Sequence, residues 1–143
     1  MKKLLFVMLA SATTLAQAEL PRTFSSDHFA QAEFNKISLR KNLPAWIKTG
    51  GTTSETKSVK IAGQDYLVFN SCKPHDCASE QIATIYSSKL KTMTSVYSVT
   101  NLKKSTQQLS WMSNKMDISI EEKTVLLSAL TGALDNYPQK FNF

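Results

Sequence analysis

Residues 59–100, VKIAGQDYLVFNSCKPHDCASEQIATIYSSKLKTMTSVYSVT, carry the pattern from which the architecture follows. Val59 and Ile61 alternate with Lys60, the period of two that sends successive side chains to opposite faces of an extended chain. Ala62 to Asp65 supplies a Gly-containing turn, and Tyr66 to Phe69 is apolar and built of strand-favouring types, so the segment reads as a hairpin. Its second strand leads directly into a short loop bounded by two cysteines, Cys72 and Cys77. Beyond the loop Ile82, Thr84 and Tyr86 share one face, and a further β-branched and aromatic run extends from Met93 to Thr100. A third and a fourth strand are expected there, joined around Ser88 to Lys91.

Outside this block the residue types turn helical. Ser25-Ser26-Asp27 offers helix caps ahead of His28, Phe29, Ala32 and Phe34, whose spacing predicts a short helix with one apolar side. A second short piece is expected through Leu43 to Ile47, with Pro44 placed to begin it and Gly50-Gly51 to end it. Near the C-terminus Ser119 and Glu122 form a capping-box pattern, and Val125, Leu126, Ala129, Leu130, Ala133 and Leu134 recur at helical spacing. These predict a helix from about Ile120 to Asp135, ended near Pro138. Between Leu102 and Asn114, Leu109, Trp111 and Met112 fit an edge strand and an irregular segment equally well. Helical pieces at both ends of a block of antiparallel strands define an α+β class, a central antiparallel sheet flanked by helices.

The chain opens on Lys2 and Lys3, an apolar run from Leu4 to Leu15, and Ala16-Gln17-Ala18, which is the layout of a secretory leader. Residues 1–18 are therefore expected to be a cleaved signal peptide and residues 19–143 one mature domain, placed in the periplasm. The apolar run falls short of the roughly 20 residues that a membrane-spanning helix needs, and no insertion is expected. The formal charge is +6, of which Lys2 and Lys3 contribute two, leaving +4 spread along the mature part. So dispersed an excess points to a solvated surface and not to nucleic acid. Export to an oxidising compartment, with an even cysteine count, points to one disulfide, Cys72 to Cys77.

A ring that closes over only Lys73-Pro74-His75-Asp76 adds about 2 kcal/mol to global stability, so its main effect is local. Pro74 fixes one φ and the closure restricts the rest, which lowers the entropy lost when the loop docks on a partner. Two readings of the residues stay open. One is a stapled strand connection whose polar residues are incidental; the other is a preorganised protrusion crowded with Lys73, His75 and Asp76.

Cys72-Lys73-Pro74-His75-Asp76-Cys77 resembles the hallmark loop of the Ivy family, the inhibitors of vertebrate lysozyme. The resemblance implies a non-enzymatic inhibitor that plugs the cleft of a c-type lysozyme, with His75 bonded to the two catalytic carboxyl groups. Lys73, Pro74 and Asp76 fall on the remaining loop positions as rim and support. It also implies the bacterium's own lytic transglycosylases as a second target, and leaves a homodimer open. The chemistry is coherent: lysozyme holds two carboxyl groups across the scissile bond, and an imidazolium has two N–H donors with which to bridge them. Asp76 either orients or charges His75, or is tied to the loop backbone as a turn residue. One physical point runs the other way, since an inhibitor at +4 gains no long-range steering toward a basic lysozyme.

Other chemistries fit less well. A thiol oxidoreductase wants two residues between its cysteines at a helix N-terminus, whereas here four intervene after a strand. Cys72, His75 and Cys77 are three potential zinc ligands, but a structural site needs a fourth and oxidation removes two. No metal or cofactor is expected. His28 has no nucleophile motif nearby and reads as a partly buried or capping residue, Glu121-Glu122 as helix N-terminal charge, and Gly50-Gly51-Thr52-Thr53 as a turn that lacks the lysine of a phosphate loop. Trp46 and Trp111 read as core or dimer contacts. A sugar-binding module for murein is the alternative to an inhibitor.

Overall fold

The computed structural model describes residues 22–143; the expected leader and the cleavage point lie outside the described residues. Six strands form one antiparallel sheet: β1 (Thr52–Thr53), β2 (Lys57–Ile61), β3 (Gln64–Cys72), β4 (Glu80–Ser87), β5 (Thr92–Asn101) and β6 (Thr106–Ser113). β3 to β6 lie side by side in chain order, and β1 and β2 both pair with the outer side of β3. The β2–β3 hairpin turns on Ala62 and Gly63, both at positive φ, the two-residue loop whose twist matches that of paired strands. The segment left open between Leu102 and Asn114 contains the edge strand β6, in register with β5 from Asn101↔Thr106 to Thr94↔Ser113.

Alternation along the strands builds two cores. Tyr66, Val68, Ala83, Ile85 and Val96 face one side, where they pack with Val125, Leu126, Ala129, Leu130 and Leu134. Phe69, Ile82, Tyr86, Met93, Tyr97 and Met112 face the other, against Ala30, Phe34 and Ile47. The result is three layers, with helices α1 (His28–Ser38) and α2 (Ala45–Thr49) on one face and α3 (Ile120–Leu130) and α4 (Ala133–Asn136) on the opposite one. Asp27 caps α1 by accepting from the Ala30 amide at 3.0 Å. Pro44 precedes α2, and Gly50 ends it in the left-handed region. On α3 the capping box is complete: Ser119 Oγ accepts from the Glu122 amide, and Glu122 Oε2 accepts from the Ser119 amide.

Three expectations need correcting. The helix expected from Ile120 to Asp135 is two helices, because Gly132 takes a φ of +76° and redirects the chain while the apolar spacing runs on across the break. The buried face of α1 is Ala30 and Phe34 with Ile37 beside them; Phe29 is 79% exposed, because the i, i+4, i+7 stripe that meets the sheet begins one residue later. His28 is exposed and is not the cap, a role that Asp27 fills. Among the described residues no helix is long and apolar enough to cross a membrane.

Candidate functional site

β3 runs unbroken from the turn at Gly63 to Cys72, and its last residue is fixed from both sides, by Thr52 of β1 and Gln81 of β4. The Lys73 amide adds one more rung by donating to the Glu80 carbonyl at 3.0 Å. The chain then turns at once. The Asp76 amide donates to the Lys73 carbonyl at 3.0 Å, which makes Lys73-Pro74-His75-Asp76 a β-turn with proline second and a positive φ of 63° third. That combination is the signature of a type II turn, whose third position glycine occupies most easily; a histidine there costs about 1 kcal/mol. The Asp76 carbonyl accepts from the Ser79 and Glu80 amides, returning the chain to β4, and the Cys72–Cys77 disulfide closes the ring with its Cα atoms 4.8 Å apart. Pro74 and His75 stand exposed at the apex.

Beneath the apex lies a polar anchor centred on Glu80, the first residue of β4. Its Oε1 accepts from Lys73 Nζ at 2.7 Å, while its Oε2 accepts from Tyr97 O–H of β5 at 2.7 Å and from the Trp46 indole N–H of α2 at 3.0 Å. Bonds from Lys73, then Tyr97, then Trp46 hold the Glu80 carboxyl down at about 2. Desolvation first, then the Glu80 carboxylate, pushes the Tyr97 hydroxyl well above the usual phenol range. The Glu80 bond also raises the Lys73 ammonium. Lys73 Nζ lies 3.4 Å from Asp76 Oδ2 as well, so the two carboxylates share one ammonium within the loop. The Asp76 carboxylate therefore faces Lys73, while its main chain carries the turn; no hydrogen bond to the His75 ring is formed among the described residues.

Gly51 packs under the same corner. Its φ is +59°, and a Cβ there would sit 2.5 Å from the Cys72 carbonyl oxygen and 2.8 Å from the Trp46 ring. Trp46 is thus pressed against backbone on one side and bonded to Glu80, with the Tyr97 ring 6.5 Å away. On the other face of β3, the Asn70 side-chain amide donates to the Ala129 carbonyl of α3 at 2.8 Å, two residues before the first cysteine.

All six expected loop residues, Cys72 to Cys77, come together as one rigid protrusion. His28 does not join them; it begins α1 and is exposed. Trp111 packs partly buried beside the α3 core with Lys123 Nζ 6.0 Å from its ring centre, and Trp46 belongs to the anchor. What sequence reasoning missed is Glu80, together with the tie from Glu80 to Trp46 and Tyr97. A carboxylate placed where a strand resumes after a disulfide loop, with a lysine inside that loop, is the one local signal that pointed to it.

A sheet that ends in a disulfide-closed polar turn, braced from below by a partly buried ionic anchor, defines a single-domain α+β scaffold that presents a loop. The comparisons agree with this class. Residues 31–116 match the family described as inhibitor of vertebrate lysozyme (Ivy). The chain is 36% identical over 137 residues to an inhibitor of vertebrate lysozyme from Escherichia coli, covering 95% of this chain and 87% of that protein. A shorter match, 35% over 46 residues, is to an inhibitor of vertebrate lysozyme from Pseudomonas aeruginosa, covering 32% of this chain and 30% of the other. The chain belongs to the Ivy family.

Proposed function

We propose that this chain is an exported, non-enzymatic inhibitor of a c-type lysozyme, with residues 1–18 as its cleaved leader and residues 19–143 at work in the periplasm. His75 is the plug. The observation that carries this reading is the state of the loop's side chains: Lys73 is paired with both Asp76 and Glu80, whereas His75 stands exposed at the apex on a turn of fixed shape. An imidazolium offered in this way has two N–H donors for the two carboxyl groups that flank a glycosidic bond in lysozyme. Occupying both blocks proton transfer and nucleophilic attack with no covalent step. Family membership supports the same target, since the relatives are named for inhibiting vertebrate lysozyme.

The test is an active-site titration of a c-type lysozyme with the mature protein and with His75→Ala. The wild type inhibits stoichiometrically, and the variant is weaker by at least tenfold with an unchanged melting temperature. Charge-assisted bonds are worth roughly 1.5 to 3 kcal/mol each, and tenfold requires only about 1.4. Equal inhibition by the two proteins removes His75 from the mechanism.

A further inference from the structure

The strand register sets a second prominence beside the first. β3 and β4 are joined at one end of the sheet by the disulfide loop, and β5 and β6 are joined at that same end by Leu102-Lys103-Lys104-Ser105. β4 and β5 are adjacent, with Glu80 opposite Val99. The Thr100 amide continues the ladder past the end of β4 by donating to the Ser79 carbonyl at 2.7 Å. The two connections therefore rise side by side, about 10 Å apart at two strand spacings.

The second connection is also stiff. The Lys104 amide is held by both the main-chain carbonyl and the Oδ1 of Asn101, at 3.2 and 3.0 Å, and Ser105 turns back into β6 with a φ of +51°. All four residues of the turn are exposed, Leu102 at 64%. Neither Lys103 nor Lys104 has a carboxylate within ion-pairing distance among the described residues, in contrast to Lys73, whose charge is matched inside the loop. Lys103 and Lys104 thus set two unmatched ammonium groups next to each other on the β5–β6 turn.

We propose that the Leu102–Ser105 turn is a second contact on the target, reading the surface beside the cleft and favouring one that carries carboxylates. This rests on the plug reading of His75, because a target that takes His75 into a cleft must bring the wall of that cleft against the neighbouring turn. The same contact accounts for an inhibitor with a mature charge of +4. Its basic turn discriminates among lysozymes by the charge beside the cleft, attracting an acidic rim and repelling a basic one.

The experiment measures dissociation constants of the mature wild type, of Lys103→Glu with Lys104→Glu, and of His75→Ala, against one strongly basic and one acidic c-type lysozyme, from about 50 to about 200 mM salt. The paired charge reversal weakens binding to the acidic enzyme by about tenfold at low salt and tightens binding to the basic one severalfold, both effects shrinking as salt rises. Its melting temperature stays at the wild-type value, because the turn is exposed. If the reversal leaves both constants within about twofold of wild type while His75→Ala still weakens both, the turn is only a solvated connection and the proposal fails with the plug intact. If His75→Ala is also without effect, the plug reading itself fails, and the second contact falls with it.

Discussion

Replacing Gly51 by alanine isolates the packing beneath the loop. The substitution meets two obstacles: a φ of +59°, and a Cβ only 2.5 Å from the Cys72 carbonyl oxygen and 2.8 Å from the Trp46 ring. The backbone term costs about 1 to 2 kcal/mol, partly offset by the 0.4 to 1 kcal/mol that alanine removes from the entropy of the unfolded chain. The crowding term adds roughly 1 to 3 kcal/mol. It belongs at the upper end of that range, because neither neighbour yields easily: Cys72 is paired on both sides and Trp46 is bonded to Glu80. The sum is about 2 to 4 kcal/mol, equivalent to a fall of roughly 8 to 16 °C in melting temperature for a domain of this size. Gly63 provides the internal reference, since its φ is +73° and nothing lies within 4 Å of an added Cβ. Gly63→Ala therefore carries the backbone term alone and falls by no more than about 6 °C. Calorimetric melts of the two variants beside wild type, with lysozyme titrations of each, complete the comparison. Gly51→Ala also loses inhibition, because the atom it displaces opens the loop. If the two variants melt within about 2 °C of each other, the corner under Cys72 is soft and the account of a rigidly founded loop is refuted.

Cys72→Ser with Cys77→Ser keeps the domain folded, at a cost of about 2 kcal/mol, while weakening inhibition by more than that cost predicts; urea melts beside titrations separate the two. Glu80→Gln flattens the acid limb of stability. The folded-state carboxyl is held at about 2, below its ordinary value of 4.5, so its contribution is complete above the ordinary value and lost as pH falls through the lowered one, which melts from neutral pH down to pH about 2 reveal. Glu122→Ala removes the capping-box carboxylate and strands the Lys115 ammonium that it accepts from at 2.7 Å, costing about 3 kcal/mol in urea unfolding, whereas Glu121→Ala leaves the capping box and that ion pair in place and unfolds close to the wild-type midpoint.

The strands that carry the loop were legible because both faces of the sheet are buried against helices while the turns between them are punctuated by glycine, lysine and serine. β6 was ambiguous for a physical reason: as an edge strand it leaves Gln107 and Gln108 exposed, so only its second half shows apolar residues. The break at Gly132 was hidden because Leu134 returns to the same core after the chain changes direction, which preserves the helical spacing. The outward position of Phe29 was hidden in the same way, since composition does not fix the phase of a short helix. Of the site, the six loop residues were readable as a local motif. The anchor was not, because Glu80 gathers Trp46 from 34 residues upstream and Tyr97 from 17 residues downstream, contacts that only the assembled sheet creates.

That long-range anchor sets a limit on transplantation. A synthetic cyclic peptide with the sequence Cys72 to Cys77 keeps the disulfide, the proline and the histidine, but leaves the Lys73 ammonium without its main counter-ion and the turn without the rung from the Lys73 amide to the Glu80 carbonyl. Released from them, the histidine has every reason to leave its positive φ. A graft that reproduces the loop in another protein must therefore import a carboxylate where the second strand begins, an indole and a phenol to hold it, and a glycine where the backbone passes beneath.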